Sequence, residues 1–279
     1  MFFIVTALGY VLISGSLYGL FFLNRIKPVE AIAQEPKAFG FLRNLWKSIR
    51  HDVVLSLWSS AIFAICASIM TTVYALGYTR LYFDPAKYGF WYIAASLCLI
   101  VFLQDTYFYF THRLAHHPKC YRWLHKGHHH SNNPTPFTAF SFDPGEALLQ
   151  AIYLMAVVSF IPLHFSVLCA VVLIMSLGAL IHHFSLRMFA DSTFGRWLGS
   201  WMVGPMHHWY HHRKYTVHYG LYFTFWDKLL GTHQDGYEAV LEASSQAEKK
   251  PTLIATPLSA AQPSNRKTVP FPIPFKKAS

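Results

Sequence analysis

From Phe90 to His116 the chain reads FWYIAASLCLIVFLQDTYFYFTHRLAH. Between Phe90 and Phe110 the only charge is Asp105. A helix needs about 20 apolar residues to cross the hydrocarbon core of a bilayer, so this stretch has the length and composition of a span. It runs without a break into His112-x-x-x-His116, and positions i and i+4 share a helix face. One stretch thus predicts a membrane helix and, at its end, a pair of imidazoles just outside the lipid.

Working outward, Phe2–Leu23 and Val53–Tyr78 contain no Asp, Glu, Lys or Arg. Ala147–Ile181 is equally free of charge, with Pro162 near its middle. Proline breaks a helix, so this stretch reads as a helical hairpin bent at Pro162. Phe2–Leu23 lacks the basic start of a signal peptide and exceeds the usual apolar core, which favours an uncleaved helix. Only 13% of the 279 residues are charged and 53% are hydrophobic, against about 25% charged in a soluble domain. That balance excludes a disordered chain and an ordinary soluble globule. The expected fold is all-α, an integral membrane helical bundle.

The formal charge of +10 raises the question of a nucleic-acid partner. Crossing at each of the first three spans, with the hairpin crossing twice or not at all, leaves 21 Lys/Arg on one side and two on the other. The positive-inside bias makes the rich side cytoplasmic and accounts for the charge without nucleic acid. A basic surface beside anionic headgroups is its remaining use. Cys66, Cys98 and Cys169 fall in apolar helices and Cys120 on the cytoplasmic side, so no disulfide framework is expected.

Topology brings the histidines together. Seven lie within residues 112–130 and five within 207–218, while His182 and His183 stand where the hairpin emerges. His125, His128 and His129 follow i, i+3, i+4, and His208, His211 and His212 repeat that spacing 83 residues later. On helices each triplet aims at one point. A lone histidine is usually a hydrogen-bonded core residue, and His51 and His164 read that way. A dense cluster without a ligand would leave unpaired donors and mutually repelling protonated rings. Metal ions relieve both, and eight or nine imidazoles imply two ions, hence a dimetal cap on the bundle. The Glu-x-x-His motif of carboxylate di-iron bundles and the His-Glu-x-x-His of zinc proteases are both absent.

His-x-x-x-His followed by two His-x-x-His-His boxes after paired membrane helices resembles the sterol desaturase and fatty acid hydroxylase superfamily. The likeness runs from about Asp105 to Thr232. It includes Asp105 upstream of the first box, Leu124-His-Lys-Gly-His-His, Thr135-Pro-Phe, Pro144-x-Glu146, Tyr219-Gly220 and the closing Trp226-Asp-Lys-Leu-Leu-Gly-Thr232. The resemblance implies metal ligands at His112, His116, His125, His128, His129, His208, His211 and His212. It also implies a ligand just after the hairpin, at His182 by register, with His183 as the alternative. His117, His130 and His207 read as flanking duplicates, and His233 as exposed. His218 stands where sterol desaturases often have Asn, and reads as a neighbour of the ligands. Asp105, seven residues before His112, shares its helix face, and a hydrogen bond from a ligating histidine is its expected role.

By resemblance, the chain would be a membrane-bound di-iron oxygenase that hydroxylates or desaturates a lipid C–H bond. It would use O2 and electrons from a cytochrome b5-like or ferredoxin-like donor. Zinc, a substitute for iron in such a site, cannot change redox state, and no flavin or nicotinamide fingerprint occurs. The second box and Thr135-Pro-Phe lean towards sterol C5-desaturase-like members. A histidine-rich membrane metal transporter or metal-binding protein is the alternative, but it would need ionisable residues inside several spans. The expected organisation is three membrane helices within 1–110 with a cytoplasmic linker 24–52. A catalytic histidine-box domain 111–237 follows, including hairpin 147–181, and then a disordered, basic, proline-containing tail 238–279. A bacterial inner membrane and the endoplasmic reticulum both fit, and Lys276-Lys277 resembles a dilysine retrieval signal.

Overall fold

The long apolar stretches become long helices in the computed structural model, which describes residues 1–21, 36–131, 134–183 and 193–234. Helix α1 is Phe2–Phe21 and α2 is Pro36–Ala75. Part of the expected linker is therefore helix. Arg43, Lys47 and Arg50 fall at i, i+4, i+7 and line one face of α2, a helical pattern that charge alone obscured. Gly77, at φ 78°, ends α2. Its N–H donates to the Tyr74 carbonyl and that of Tyr78 to Val73, the paired bonds of a Schellman cap.

A two-residue strand β1 (Leu81–Tyr82) leads to α3 (Gly89–Ala115), which carries the sequence stretch quoted above. The hairpin is α5 (Pro144–Phe160) and α6 (Phe165–His182), with α4 (Pro118–Leu124) lying before it. Pro162 sits at the bend, where β2 (Leu163–His164) pairs in parallel with β1, Leu81 opposite Leu163. Tyr92 ties α3 to this bend by donating to the Pro162 carbonyl at 2.8 Å. His164 starts α6 by accepting the Ser166 N–H and is bonded to the Phe83 carbonyl as well, so it is a structural histidine.

Ile100, Tyr153, Val157, Val158, Leu163, Val167 and Val171 form the core between α3, α5 and α6. Tyrosine hydroxyls cross between helices: Tyr153 donates to Ile100 O and Tyr107 to Leu149 O. The outer faces stay apolar and exposed, with Trp91, Phe102, Phe110, Phe160 and Leu173 pointing away from the core. Burial by lipid is what makes such faces tolerable. Among the described residues four helices are long and apolar enough to cross a membrane, spanning Phe2–Leu20, Arg43–Ala75, Gly89–Ala115 and Phe165–His182, and α5 is shorter. The protein is an all-α integral membrane bundle.

The C-terminal ends of α3 and α6 and the N-terminal end of α5 meet at one end of the bundle. There α4, two 3-10 turns (His128–His130 and Pro136–Phe140), α7 (Thr193–Trp201), α8 (Pro205–Lys214) and α9 (Phe225–Leu229) build a cap. Asp52 on α2 anchors it, accepting from the hydroxyls of Ser131, Thr138 and Ser141 at 2.8, 2.7 and 3.1 Å. The expected tail 238–279 lies outside the described residues.

Candidate metal centre

The cap gathers nine histidines into two groups. His112, His116, His125, His129 and His211 each offer a ring nitrogen within 4.8 Å of the others, and His128, His183, His208 and His212 do the same. The spacing in the sequence does this work. His112 and His116 lie one turn apart at the end of α3, and α8 presents His208, His211 and His212 on one face. His125 is the C-cap of α4, and His128 and His129 sit in the 3-10 turn that follows. All but His116 are buried.

Backbone carbonyls fix which nitrogen carries the proton. His112 Nδ1 faces the Tyr219 carbonyl at 3.0 Å, His128 Nδ1 that of Ser141 at 3.1 Å, His183 Nδ1 that of Ala179 at 2.7 Å and His211 Nδ1 that of Val217 at 2.7 Å. A carbonyl only accepts, so each Nδ1 donates and each Nε2 is left as a bare lone pair. His125 Nδ1 is likewise 2.8 Å from the Glu146 carboxylate.

The Nε2 atoms then face one another: His112 and His125 at 2.9 Å, His116 and His211 at 3.0 Å, His129 and His211 at 3.1 Å. In the second group His183 and His208 stand at 3.1 Å, and His208 and His212 at 3.0 Å. Where both rings of such a pair carry the proton on Nδ1, their Nε2 lone pairs repel unless a cation lies between them. Ligands bound at right angles, each about 2.1 Å from an ion, stand about 3 Å apart. The donor set therefore fits two transition-metal ions.

Charge state agrees. Burial pushes the His128 imidazole down to about 4 and His116 to about 2. It pushes His125, His129, His183, His208, His211 and His212 well below the ordinary range, with neighbouring imidazoles adding to the effect. The rings are neutral at physiological pH, the form that binds metal.

Around them the structure places residues that the sequence reading assigned otherwise. Asp105 bonds no histidine. Its Oδ1 accepts from the N–H groups of Leu221, Tyr222 and Phe223 at 3.2, 2.7 and 3.1 Å. Seven residues do put it on the face of His112, but the closing loop, not the imidazole, lies against it. Asp227 grips the same loop, accepting from Tyr219 N, Gly220 N and the Thr232 hydroxyl. Gly220 is required there, since a Cβ would stand 2.5 Å from the Phe223 carbonyl. The two aspartates thus hold the loop whose Tyr219 carbonyl orients His112. The carboxylate that does touch a ligating ring is Glu146, on α5. Asp143 accepts the N–H groups of Gly127 and His128 and fixes the second box.

His182 also departs from expectation. Its Nε2 bonds the Val203 carbonyl at 3.2 Å, and the following residue, His183, joins the second group. The helix ends between them: His182 closes α6, while His183 is its C-cap and turns inward. His117 caps α4 and His130 packs its ring tilted against His51, both outside the groups. His207, His218 and His233 form a third group of their own, with His233 half-buried rather than exposed.

A helical membrane bundle with two buried imidazole clusters at one end defines a histidine-box membrane protein. The fatty acid hydroxylase family model matches residues 97–232. The chain is 31% identical over 198 residues to a Delta(7)-sterol 5(6)-desaturase of Gibberella zeae, covering 70% of this chain and 58% of that protein. It is 27% identical over 208 residues to the lathosterol oxidase of Homo sapiens, covering 74% and 66%. With methylsterol monooxygenase 1 of Rattus norvegicus it shares 27% over 183 residues, covering 65% and 61%. No solved structure matches the chain significantly. The chain matches the sterol desaturase and fatty acid hydroxylase superfamily over residues 97–232, and spans somewhat over half the length of the first of these relatives.

Proposed function

We propose that this chain is a membrane-bound oxygenase that uses two irons, O2 and two external electrons to oxidise a lipid C–H bond. The observation that carries the reading is the pair of buried clusters whose Nε2 atoms face one another at 2.9 to 3.1 Å at the end of an apolar bundle. Iron bound there would supply the redox chemistry that opens O2. His112, His116, His125, His129 and His211 would hold one ion, and His128, His183, His208 and His212 the other.

The rest falls to this chain's own groups. The carbonyls of Tyr219, Ser141, Ala179 and Val217 keep each Nδ1 protonated and each Nε2 free. Apolar helices exclude water and accept a substrate from the bilayer. Hydroxylation consumes O2, two electrons and two protons, giving an alcohol and one water. Desaturation consumes the same and gives an alkene and two waters. The names of the relatives make a sterol ring system the first substrate to try. Exposed Lys119, Arg122, Lys126 and Lys214 surround the centre on the cap and suit an acidic electron donor on the cytoplasmic face.

The test pairs metal content with lipid mass spectrometry in cells with and without the protein. Two irons per chain and a sterol two hydrogens lighter support desaturation, and a lipid one oxygen heavier supports hydroxylation. A well-folded preparation, made without chelators, that holds no transition metal would sink the reading.

A further inference from the structure

The third histidine group is separate from the two clusters. His207, His218 and His233 each offer a ring nitrogen, all within 4.8 Å of one another. Their ring centroids stand 5.0 Å (His207 to His218), 5.0 Å (His218 to His233) and 5.8 Å (His207 to His233) apart. They come from three places: the first turn of α8, the loop after it, and the stretch after α9. His207 precedes His208 and so points about 100° round the helix from it, away from the second cluster. His182 lies between the two groups, stacked on His208 with its Nε2 spent on Val203.

Backbone pairing delivers the rings. His218 N donates to Thr232 O and His233 N to Asp227 O, both at 2.9 Å. His218 is 2% exposed and adopts φ 57°, a left-handed conformation uncommon outside glycine.

We propose that His207, His218 and His233 form a third metal site, one that takes zinc(II) and clasps the start of α8 to the loop closing the dimetal centre. The donor set selects the metal. Three imidazoles are a zinc set with one position left for a further ligand, whereas the three-residue non-haem iron site pairs two imidazoles with a carboxylate, and the iron sites proposed above have four or five imidazoles each. Asp227 does not supply one. Its Oδ1 serves Tyr219 N and the Thr232 hydroxyl, and its Oδ2 serves Gly220 N. The Lys228 ammonium is held off by the Ser200 carbonyl. Gly204 N donates to His207 Nδ1 at 3.1 Å, which leaves the proton of the metal-free ring on Nε2. Zinc at Nε2 moves that proton to Nδ1 and gives up one N–H···N contact for a metal–ligand bond.

The proposal rests on the dimetal reading only in that the third ion is counted beside the other two. The test uses the full-length, tag-free protein in nanodiscs, expressed with iron and zinc, with metals counted by mass spectrometry. The variants are His218→Asn, His233→Gln and His128→Ala. Asparagine tolerates the left-handed backbone of position 218, so His218→Asn removes the ring without strain, and His233→Gln decides alone should that variant misfold. The expected result is three metals in the wild type and loss of one zinc equivalent, with iron retained, in His218→Asn and His233→Gln. Cobalt(II) replacing that zinc gives visible absorption bands that the same variants lose. Equal metal content in wild type and both variants overturns the proposal. So does loss of every metal in both, which would make the trio a packing element. Retention of all iron by His128→Ala would instead sink the dimetal reading and leave the third site standing.

Discussion

Among the described residues Glu146 is the one carboxylate bonded to a ring of the two clusters, 2.8 Å from His125 Nδ1. Such partners orient the ring and raise its basicity, and losing one costs about 10–100-fold in metal affinity or activity. Glu146→Gln keeps the volume and one acceptor oxygen, so the fold is retained while metal affinity falls by about that factor, as competition with a chelator will measure. An unchanged affinity would show that the contact is incidental. The neighbouring pair at the end of α6 gives a sharper contrast. His183→Ala removes a ring whose Nε2 faces His208 at 3.1 Å, and metal at the second cluster is lost. His182→Ala removes a ring spent on a backbone carbonyl, and the metal count stays at that of the wild type. The reverse outcome would return the ligand to His182.

The loop from Tyr219 to Phe223 is where separate elements converge on the centre. Asp105 on α3 accepts three of its N–H groups and Asp227 on α9 accepts two more. Asp105→Ala leaves three buried donors unmatched at a cost of at least about 1–3 kcal/mol. The variant is expected to melt earlier and to bind metal poorly, while Asp105→Asn, which keeps one acceptor oxygen, falls between. A wild-type melting temperature for Asp105→Ala would contradict this account. Gly220→Ala forces a Cβ onto the Phe223 carbonyl and is expected to loosen the same loop. These elements also show what a sequence displays and what it hides. The spans and the i, i+3, i+4 triplets depend on local periodicity, and both were legible. So was the face of Asp105. Its partner was not, because the bonded loop lies 116 residues away. Register favours His182 over His183, a local rule that does not see where the helix stops, and the structure sets His183 in the second group. Glu146, read only as part of a motif, and Asp52, not singled out at all, acquire partners only when the hairpin and α2 close on the cap. Nothing in the spacing of His207, His218 and His233 marks them as neighbours.

At the scale of the molecule, the cap and the helix ends beneath it bury many neutral imidazoles at once, and stability should follow pH accordingly. In the unfolded chain an imidazole takes a proton near pH 6.5. In the folded protein His128 is pushed to about 4 and His116 to about 2, and six other histidines of the two clusters lie well below the ordinary range. Between these values the unfolded state binds more protons, so acidification favours unfolding. The contribution is fully present above the unfolded value and is lost as pH falls towards the folded ones. Buried carboxyls pushed upward, Asp143, Glu146 and Asp227 among them, work in the opposite sense but are fewer than the imidazoles. Metal-free protein should therefore hold a constant melting temperature above about pH 7.5 and lose stability steadily from about 6.5 downward. Bound metal competes with protons for the same nitrogens and should shift that decline to lower pH. Thermal unfolding across this range, with and without metal, measures both effects. A metal-free protein whose melting temperature is unchanged between neutral pH and the ordinary carboxylate range would mean that these imidazoles are not buried together in the folded state.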